Sequence, residues 1–312
     1  MTNKSTNQVS PHVTIVMLNW NQEADTLECL DSLAKIRYPA FSILLVDNGS
    51  TDGSAETIER WANENKLITL IRNKKNKGFI GGSNIGIRRA LTTDTNYIFL
   101  LNNDTVVEPH VLTELVDVAE QSNDISMVGP KIYQYNKEQV LDSAGTRTML
   151  WLAQGFLTGH GQEDLGQYDQ SFEMPYITGT ALLIKRSVVE RIGLMDEDYF
   201  NYFDDFDWGY RARKAGGRLL FVPKAIIQHK GSQAISFGSP FYMRHMIRSR
   251  ILFARKHIPI LPFLFIFLPY LAAYRYLKPA LNFLRHRQWD HLQALHTGIQ
   301  EGFITKLTTK IR

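Results

Sequence analysis

From Val13 to Val222 the chain repeats one theme: a short apolar run ends in a polar cluster, and a stretch with helical spacing follows. The apolar runs are VTIVMLN (13–19), SILLVDN (42–48), ITLIRN (68–73), YIFLLNND (97–104), SMVGPKIY (126–133) and ITGTALLIK (177–185). Between the first four lie Leu27, Leu30 and Leu33, then Ile58, Trp61 and Ala62, then Ile85, Ala90 and Leu91, each set spaced to line one side of a helix. The pattern predicts an α/β protein with a doubly wound, mostly parallel sheet. Ligands of such sheets bind beyond the carboxyl ends of the strands. That directs attention to Asn19, Asp47, Asn48, Asn73, Asn102, Asn103 and Asp104. Packing explains poorly why four successive strands should end in polar side chains; the competing explanation is that each residue caps the helix that follows.

The pattern changes near 230–240, where KGSQAISFGSP is rich in Gly, Ser and Pro. Beyond it, 241–257 form a basic helical stretch, and 258–274 (IPILPFLFIFLPYLAAY) are almost wholly apolar. Three parts are therefore expected: a polar tail over 1–12, a main domain over 13–240, and a helical, partly apolar region over 241–312. With 312 residues, 44% of them hydrophobic, the chain can build a large core and need not be disordered. The N-terminal dozen residues lack the apolar segment of a secretory signal, so a cytoplasmic location is expected. The single cysteine, Cys29, excludes an internal disulfide or a cysteine-based zinc cluster, and its helical setting suggests a small buried side chain.

Net charge is only +4 although the pI is near 9.0, so the placement of the basic residues matters more than their number. Arg244, His245, Arg248, Arg250, Arg255 and Lys256 precede the apolar segment, and Arg275, Lys278, Arg285 and Arg287 follow it. At 17 residues the segment is marginal for spanning a bilayer, and Pro262 and Pro269 are expected to interrupt it. It reads as an interfacial or re-entrant element against anionic lipid; a buried helical hairpin or a homo-oligomer interface is the alternative. No nucleic-acid partner is expected.

Four segments carry chemistry. NKKNKGFIGGSNIGIRRAL (73–91) places Gly78, Gly81, Gly82 and Gly86 at the start of a helix, where backbone N–H groups favour a phosphate; tight packing of helix on strand would need the same glycines. Its spacing matches neither G-x-G-x-x-G nor the P-loop. In LLNNDT (100–105), Asp104 leaves an apolar strand as a carboxylate suited to Mg²⁺ or Mn²⁺, and Asn103 is suited to a ribose or a metal-bound water. In YFNYFDDFDWGYRARKAGG (199–217), Asp204, Asp205 and Asp207 crowd a helix start among aromatics, where like charge and poor hydration raise a carboxylate pKa toward that of a general base. His229 ends a further apolar run, a position more telling than a lone histidine elsewhere.

With VTIVMLNWNQ, ILLVDNGSTDGS, NKGFIGGSNIG, FLLNNDT, YITGTALLIKRSVVERIGLMDE, YFNYFDDFDWGYRARKAGG and a late QH in this order, residues 13–255 resemble family 2 glycosyltransferases. They are most similar to the bacterial branch that includes rhamnosyltransferases of cell-wall and O-antigen assembly. The resemblance implies a Rossmann-like GT-A fold, inversion at the anomeric carbon, a divalent metal, a nucleotide-diphosphate sugar donor (dTDP-rhamnose, with UDP-sugars next), and a saccharide or lipid-linked saccharide acceptor at the inner face of the plasma membrane. By the same resemblance Asp47 contacts the base or ribose. Asn19, Asn76, Lys77, Gly78 and Asn103 join it in holding the donor. Asp104 is similar to the last acid of the family's D-x-D metal site, Asp205 to its catalytic base, and His229 to its late histidine at the metal or diphosphate. Asn102 stands where that site has its first acid, which implies weaker or optional metal binding. A processive polysaccharide synthase would carry Q-x-x-R-W, absent here; a non-catalytic sugar-nucleotide-binding scaffold would have lost Asp104 and Asp205; a nucleotidyltransferase would carry a basic glycine-rich loop where this chain has NWNQEAD.

Overall fold

A computed structural model describes residues 10–308 apart from 66, 138 and 232–237. Most of the polar tail and of the Gly/Ser segment near 235 therefore lies outside the described residues. The elements run β1 (Val13–Asn19), α1 (Glu23–Leu33), β2 (Phe41–Asp47), α2 (Ser54–Glu64), β3 (Ile68–Arg72), α3 (Gly78–Ala90), β4 (Tyr97–Asn102), β5 (Thr105–Val107), α4 (Val111–Ala119) and β6 (Ile125–Gln134). They continue with β7 (Leu141–Ser143), β8 (Thr146–Met149), β9 (Gln154–Leu157), β10 (Ala181–Lys185), α5 (Arg186–Ile192), α6 (Asp204–Lys214), β11 (Arg218–His229) and α7 (Pro240–His257). Two helices follow, α8 (Ile260–Arg285) and α9 (Trp289–Ile304).

The main sheet has the order β3-β2-β1-β4-β10-β6-β11-β5, with β7 attached to β6. Its first half is parallel as expected, and Asn19 pairs in register with Asp47 while Leu18 pairs with Asn102, so the polar strand ends fall in one row. Its second half is mixed, because β10 lies antiparallel between β4 and β6. The apolar run 177–185 becomes a strand only from Ala181; residues before it turn, with the Ala181 N–H donating to the Thr178 carbonyl. Likewise the run 97–104 ends as a strand at Asn102, and the turn at Asn103 and Asp104 leads into β5, where Thr105 faces His229.

Alternate residues of the central strands feed two apolar layers. Val16, Leu44, Ile98 and Leu182 pack on one face with Ile87 of α3 and Trp208 of α6; Ile15, Ile43, Phe99 and Leu183 pack on the other with Leu30 of α1 and Leu115 of α4. Strands buried on both faces have no polar side to alternate with, which accounts for the continuous apolar runs. Ile251, Leu252 and Phe253 of α7 belong to the first layer, so the C-terminal helices share the core of the sheet. Cys29 is buried in the second, and burial pushes its thiol up to about 12, leaving no reactive thiolate.

The C-terminal segment corrects one expectation. Pro262 and Pro269 do not break the helix, which continues from Ile260 to Arg285. Pro262 stands in the first turn, where its missing N–H has no acceptor to lose. Phe263–Phe267 and Leu271–Leu277 are wound with π geometry, and these wider turns accommodate the missing donor at Pro269.

Helix packing accounts for two glycines of the 73–91 loop. A Cβ on Gly82 would stand 2.4 Å from Leu18 Cδ1 and one on Gly86 2.5 Å from Val16 Cγ1, so α3 seats on β1 only without side chains there. Gly86→Val is expected to lower stability by about 2 kcal/mol or more through overpacking, read from urea denaturation; an unchanged midpoint would show that α3 can shift away from the sheet at no cost.

Candidate functional site

At the ends of β1, β2 and β4 the polar residues form a connected network. Asn19 Nδ2 donates to Asp47 Oδ1 at 2.9 Å, to Ser50 Oγ at 3.1 Å and to Ser54 Oγ at 3.0 Å. Thr26 Oγ1 donates to Asn19 Oδ1 at 2.9 Å and accepts from Asn103 Nδ2 at 2.8 Å. Asp47 also accepts the Ser50 hydroxyl at 2.6 Å and the N–H groups of Gly49 and Ser50 through Oδ2. Three expected donor-site residues, Asn19, Asp47 and Asn103, are thus brought together. Asp47 combines its place at the strand end with the turn-forming role of an aspartate.

Asn48 organises the next loop. It accepts from Asn73 Nδ2 at 3.0 Å and from the Lys77 N–H at 3.1 Å, and its own amide donates to Asn76 Oδ1 and the Gly78 carbonyl, both at 3.0 Å. Asn76 Oδ1 in turn accepts the Gly78 N–H at 2.7 Å. This clamp leaves the Lys77 side chain exposed at the start of α3. Gly78 has φ +75°, and a Cβ there would lie 2.8 Å from the Phe200 ring, so glycine is required by conformation and by contact.

Beyond β4 stands a second cluster. His229 Nδ1 bonds Asp142 Oδ2 at 2.8 Å, and its Nε2 lies 3.4 Å from Asp104 Oδ2. The Lys230 N–H donates to the Asp104 carbonyl at 3.0 Å, which fixes the end of β11 against the turn after β4. Burial alone would lower the His229 pKa, but bonds to Asp104 and Asp142 raise it to about 9. Asn102 Oδ1 and Asp104 Oδ1 are both buried without a hydrogen-bond partner. Unpaired buried oxygens of this kind are costly unless something binds them. They suit a hard divalent cation that takes its remaining oxygens from a diphosphate and water, and whose charge would displace the proton that Asp104 and Asp142 hold on His229, freeing Nε2 as a further ligand. Among the described residues no group of three or more His, Cys, Asp or Glu is arranged to hold a metal alone.

The acids at the start of α6 are separated by their partners. Asp207 is fully buried, accepts from Arg211 Nε at 2.6 Å and from the Tyr199 hydroxyl at 3.1 Å, and lies 2.5 Å from His257 Nε2 on α7. Burial would raise its pKa, yet His257 and Arg211 hold it below the usual carboxylate range, so Asp207 anchors α6 to α7 and is no proton acceptor at neutral pH. Burial raises Asp204 to about 8, aided by the charge of Asp205, and burial also raises Asp205. Asp205 is the less enclosed of the two, its Oδ2 accepting the Gly179 N–H at 3.1 Å and its Oδ1 the Phe206 N–H at 2.7 Å.

Gly179 joins this cluster to the strand ends. Next to it, the Thr180 carbonyl accepts the Asn102 N–H at 2.9 Å, so Asp205 stands at the same end of the sheet as the turn bearing Asp104. A Cβ on Gly179 would be 3.8 Å from Phe79 of α3 and 3.6 Å from Asp204 Oδ2, so the start of α3 meets the start of α6 there. An open concavity of about 390 Å³ lies at the amino end of β4, lined by Thr95, Asn96, Tyr97, Glu120 and Lys185 among others. It holds none of these polar clusters, and strand-end chemistry outweighs its size. Thr26 and Asp142 contribute without a motif to announce them; Ser50, Ser54 and Gly179 lie inside the motifs quoted above without being singled out there, and Asn48 had the signal of a strand end.

Such a sheet, with a glycine-rich helix start after β3, a buried Asp at the end of β4 and an acid pair at the start of α6, belongs to a glycosyltransferase of the GT-A fold. Residues 14–193, more than half of the chain, match Glycosyl transferase family 2, and the chain belongs to that family. The N-acetylglucosaminyl-diphospho-decaprenol L-rhamnosyltransferase of Mycobacterium tuberculosis is 26% identical over 249 residues, covering 73% of this chain and 79% of the relative. Among solved structures, the Pyrobaculum calidifontis mannosyltransferase PcManGT in complex with GDP-Man and Mn²⁺ superposes with a TM-score of 0.59 at 16% identity, over 94% of this chain and 87% of the other. S. aureus TarS 1–349 in complex with UDP-GlcNAc gives 0.61 at 17% identity, over 93% and 81%. These two likenesses establish the fold.

Two outcomes test the division of labour among the acids. Asp207→Asn should cost about 3 kcal/mol or more, because Arg211 then loses its buried countercharge and His257 its carboxylate partner; a melting temperature equal to that of the native chain would contradict this anchoring role. Asp204 binds its proton more tightly folded than unfolded, so the stability linked to it is full below about pH 4 and is lost as pH rises through about 8. Thermal melts from pH 5 to 8.5 should therefore fall more steeply in the native chain than in Asp204→Asn, and parallel curves would refute the shift.

Proposed function

We propose that this protein is an inverting, non-processive glycosyltransferase that moves a sugar, rhamnose from dTDP-rhamnose as the leading choice, onto a hydroxyl of a saccharide or lipid-linked saccharide in cell-surface polysaccharide assembly. The observation that carries the reading is the arrangement about Gly179: Asp205 bonds its N–H while the adjoining carbonyl bonds Asn102, two residues from Asp104. A proton acceptor and an acidic cation site thus serve one strand end. The choice of sugar is supported by the mycobacterial relative, whose name states rhamnosyl transfer to a diphospho-decaprenol-linked N-acetylglucosamine. The enzyme works on the cytoplasmic side, peripherally at the inner face of the plasma membrane, where such an acceptor would be presented.

The donor lies across the ends of β1, β2 and β4. Asp47, held by the fully buried Asn19, faces the base or ribose, Asn103 the ribose, and Asn76, Lys77 and Gly78 the diphosphate beside the N–H groups of α3. Asp104 and His229, with Asn102, would hold the cation. A bound Mg²⁺ or Mn²⁺ supplies neutralising charge for the departing diphosphate. Asp205 takes the proton of the acceptor hydroxyl as its oxygen bonds to the anomeric carbon; the bond from that carbon to the diphosphate oxygen breaks on the opposite side, and the configuration inverts. The raised pKa of Asp205 makes its carboxylate a stronger base than a solvated aspartate. The N–H of Gly179 keeps it aimed across the strand end.

Asp205→Asn should lower kcat at least about a thousandfold while nucleotide-sugar binding, followed by thermal shift, survives. Asp104→Ala should instead weaken donor binding and abolish any gain from Mn²⁺. An Asp205→Asn protein within about tenfold of normal kcat would remove the assigned base.

A further inference from the structure

Helix α8 presents a bare apolar surface. Leu261, Leu264, Phe265, Tyr274, Leu277 and Leu281 are exposed, Phe265 at 74% and Leu261 at 64%, whereas Phe267, Leu271 and Ala280 on the inner side are buried against the body. From Ile258 to Tyr274 there is no charged residue, and between Lys256 and Asp290 there is no Asp or Glu, while Arg275, Lys278, Arg285 and Arg287 are all basic. The outer face of a helix on a water-exposed surface normally carries charge.

A distant part of the chain adds to the same surface. The short 3₁₀ turn Leu150–Leu152, between β8 and β9, packs against the Phe263–Phe267 stretch of α8. It leaves Met149 and Trp151 exposed at 54% and 43%. The turn is held in place by Arg250, whose Nη1 donates to the carbonyls of Leu152 at 3.2 Å and Ala153 at 2.6 Å, and by the Tyr270 hydroxyl, which donates to Gln154 Oε1 at 2.5 Å. A methionine and a tryptophan kept exposed beside an uncharged helix face suit the boundary between headgroups and acyl chains.

We propose that α8 and the Met149–Trp151 turn together form a monotopic dock that lies flat in the headgroup layer of an anionic membrane. The surface commits to lipid because all formal charge along α8 is positive, which complements anionic headgroups and would repel itself across an interface between two copies. At 26 residues α8 spans about 39 Å, long enough to cross a hydrocarbon layer of about 30 Å. Crossing would strip Phe267 and Leu271 from the core and break the Tyr270–Gln154 bond, whereas a flat placement keeps all of these contacts. The dock deepens the peripheral membrane placement given above and is independent of the transfer chemistry.

The test uses the full chain in flotation with vesicles of phosphatidylcholine alone or mixed with phosphatidylglycerol. Binding to the mixed vesicles is expected, weakened by salt, and reduced roughly tenfold or more by Leu261→Glu with Phe265→Glu and also by Met149→Glu with Trp151→Glu. Melting temperatures should hold, since all four side chains are exposed. In a Tyr274→Cys protein, a fluorophore near the middle of α8 should be quenched by a shallow spin-labelled lipid more than by a deep one; Cys29 is buried and escapes the label. Absence of flotation, indifference to the Met149 and Trp151 changes, or stronger deep quenching would each overturn the dock. So would a dimer in sedimentation that the same substitutions dissolve while flotation persists. Asp205→Asn should float like the native chain and the dock variants should still bind nucleotide sugar, so failure of the dock and failure of the transfer reading are separable.

Discussion

The site depends on one pairing: β10 lies antiparallel beside β4, with Ala181 opposite Leu101 and the Thr180 carbonyl bonded to the Asn102 N–H. A parallel strand would have brought its carboxyl end to this edge. The antiparallel one brings its amino end, and with it the Thr178–Thr180 turn whose Gly179 receives Asp205. Without that reversal the acids of α6 would have no fixed relation to the turn after β4. The two halves of the sheet thereby share one edge.

Electrostatics then assigns different tasks to chemically identical groups. Of three aspartates within four positions, Asp207 is held as an anion by Arg211 and His257, Asp204 is pushed up by burial, and Asp205 is raised yet less enclosed. Asp207 serves stability because Arg211 and His257 bond to it and are buried with it. Asp205 differs in that its partners are backbone N–H groups, which aim it without supplying a full charge. The aromatic residues before them help set this order: Tyr199 bonds Asp207, and Phe203 and Phe206 pack with Phe253 of α7, so the C-terminal helices support the start of α6.

The same helices present a different face to the outside. Arg250, buried in α7, fixes the 150–153 turn, and α8 packs along it with its uncharged side outward. The C-terminal region therefore braces the acid-bearing helix on one side and offers an apolar surface on the other.

Much of this was legible in the amino-acid sequence because strand and helix periodicities are local: β1, β2 and β3 and the three helices between β1 and β4 follow the apolar spacing closely, and Asn19, Asp47, Asn103 and Asp104 stand out as polar ends of apolar runs. The acid cluster and His229 were also legible as residues, and family resemblance singled out Asp205 within the cluster and gave His229 its role. Only the tertiary structure decided the direction of β10, the partners that separate Asp204, Asp205 and Asp207, the supporting roles of Thr26, Asn48 and Asp142, and the continuity of α8 through its prolines. Each of these depends on contacts between residues far apart in the chain, such as Asp207 with His257 or Asp142 with His229, and no local pattern of hydrophobicity encodes which distant group will neutralise a charge or fill a turn.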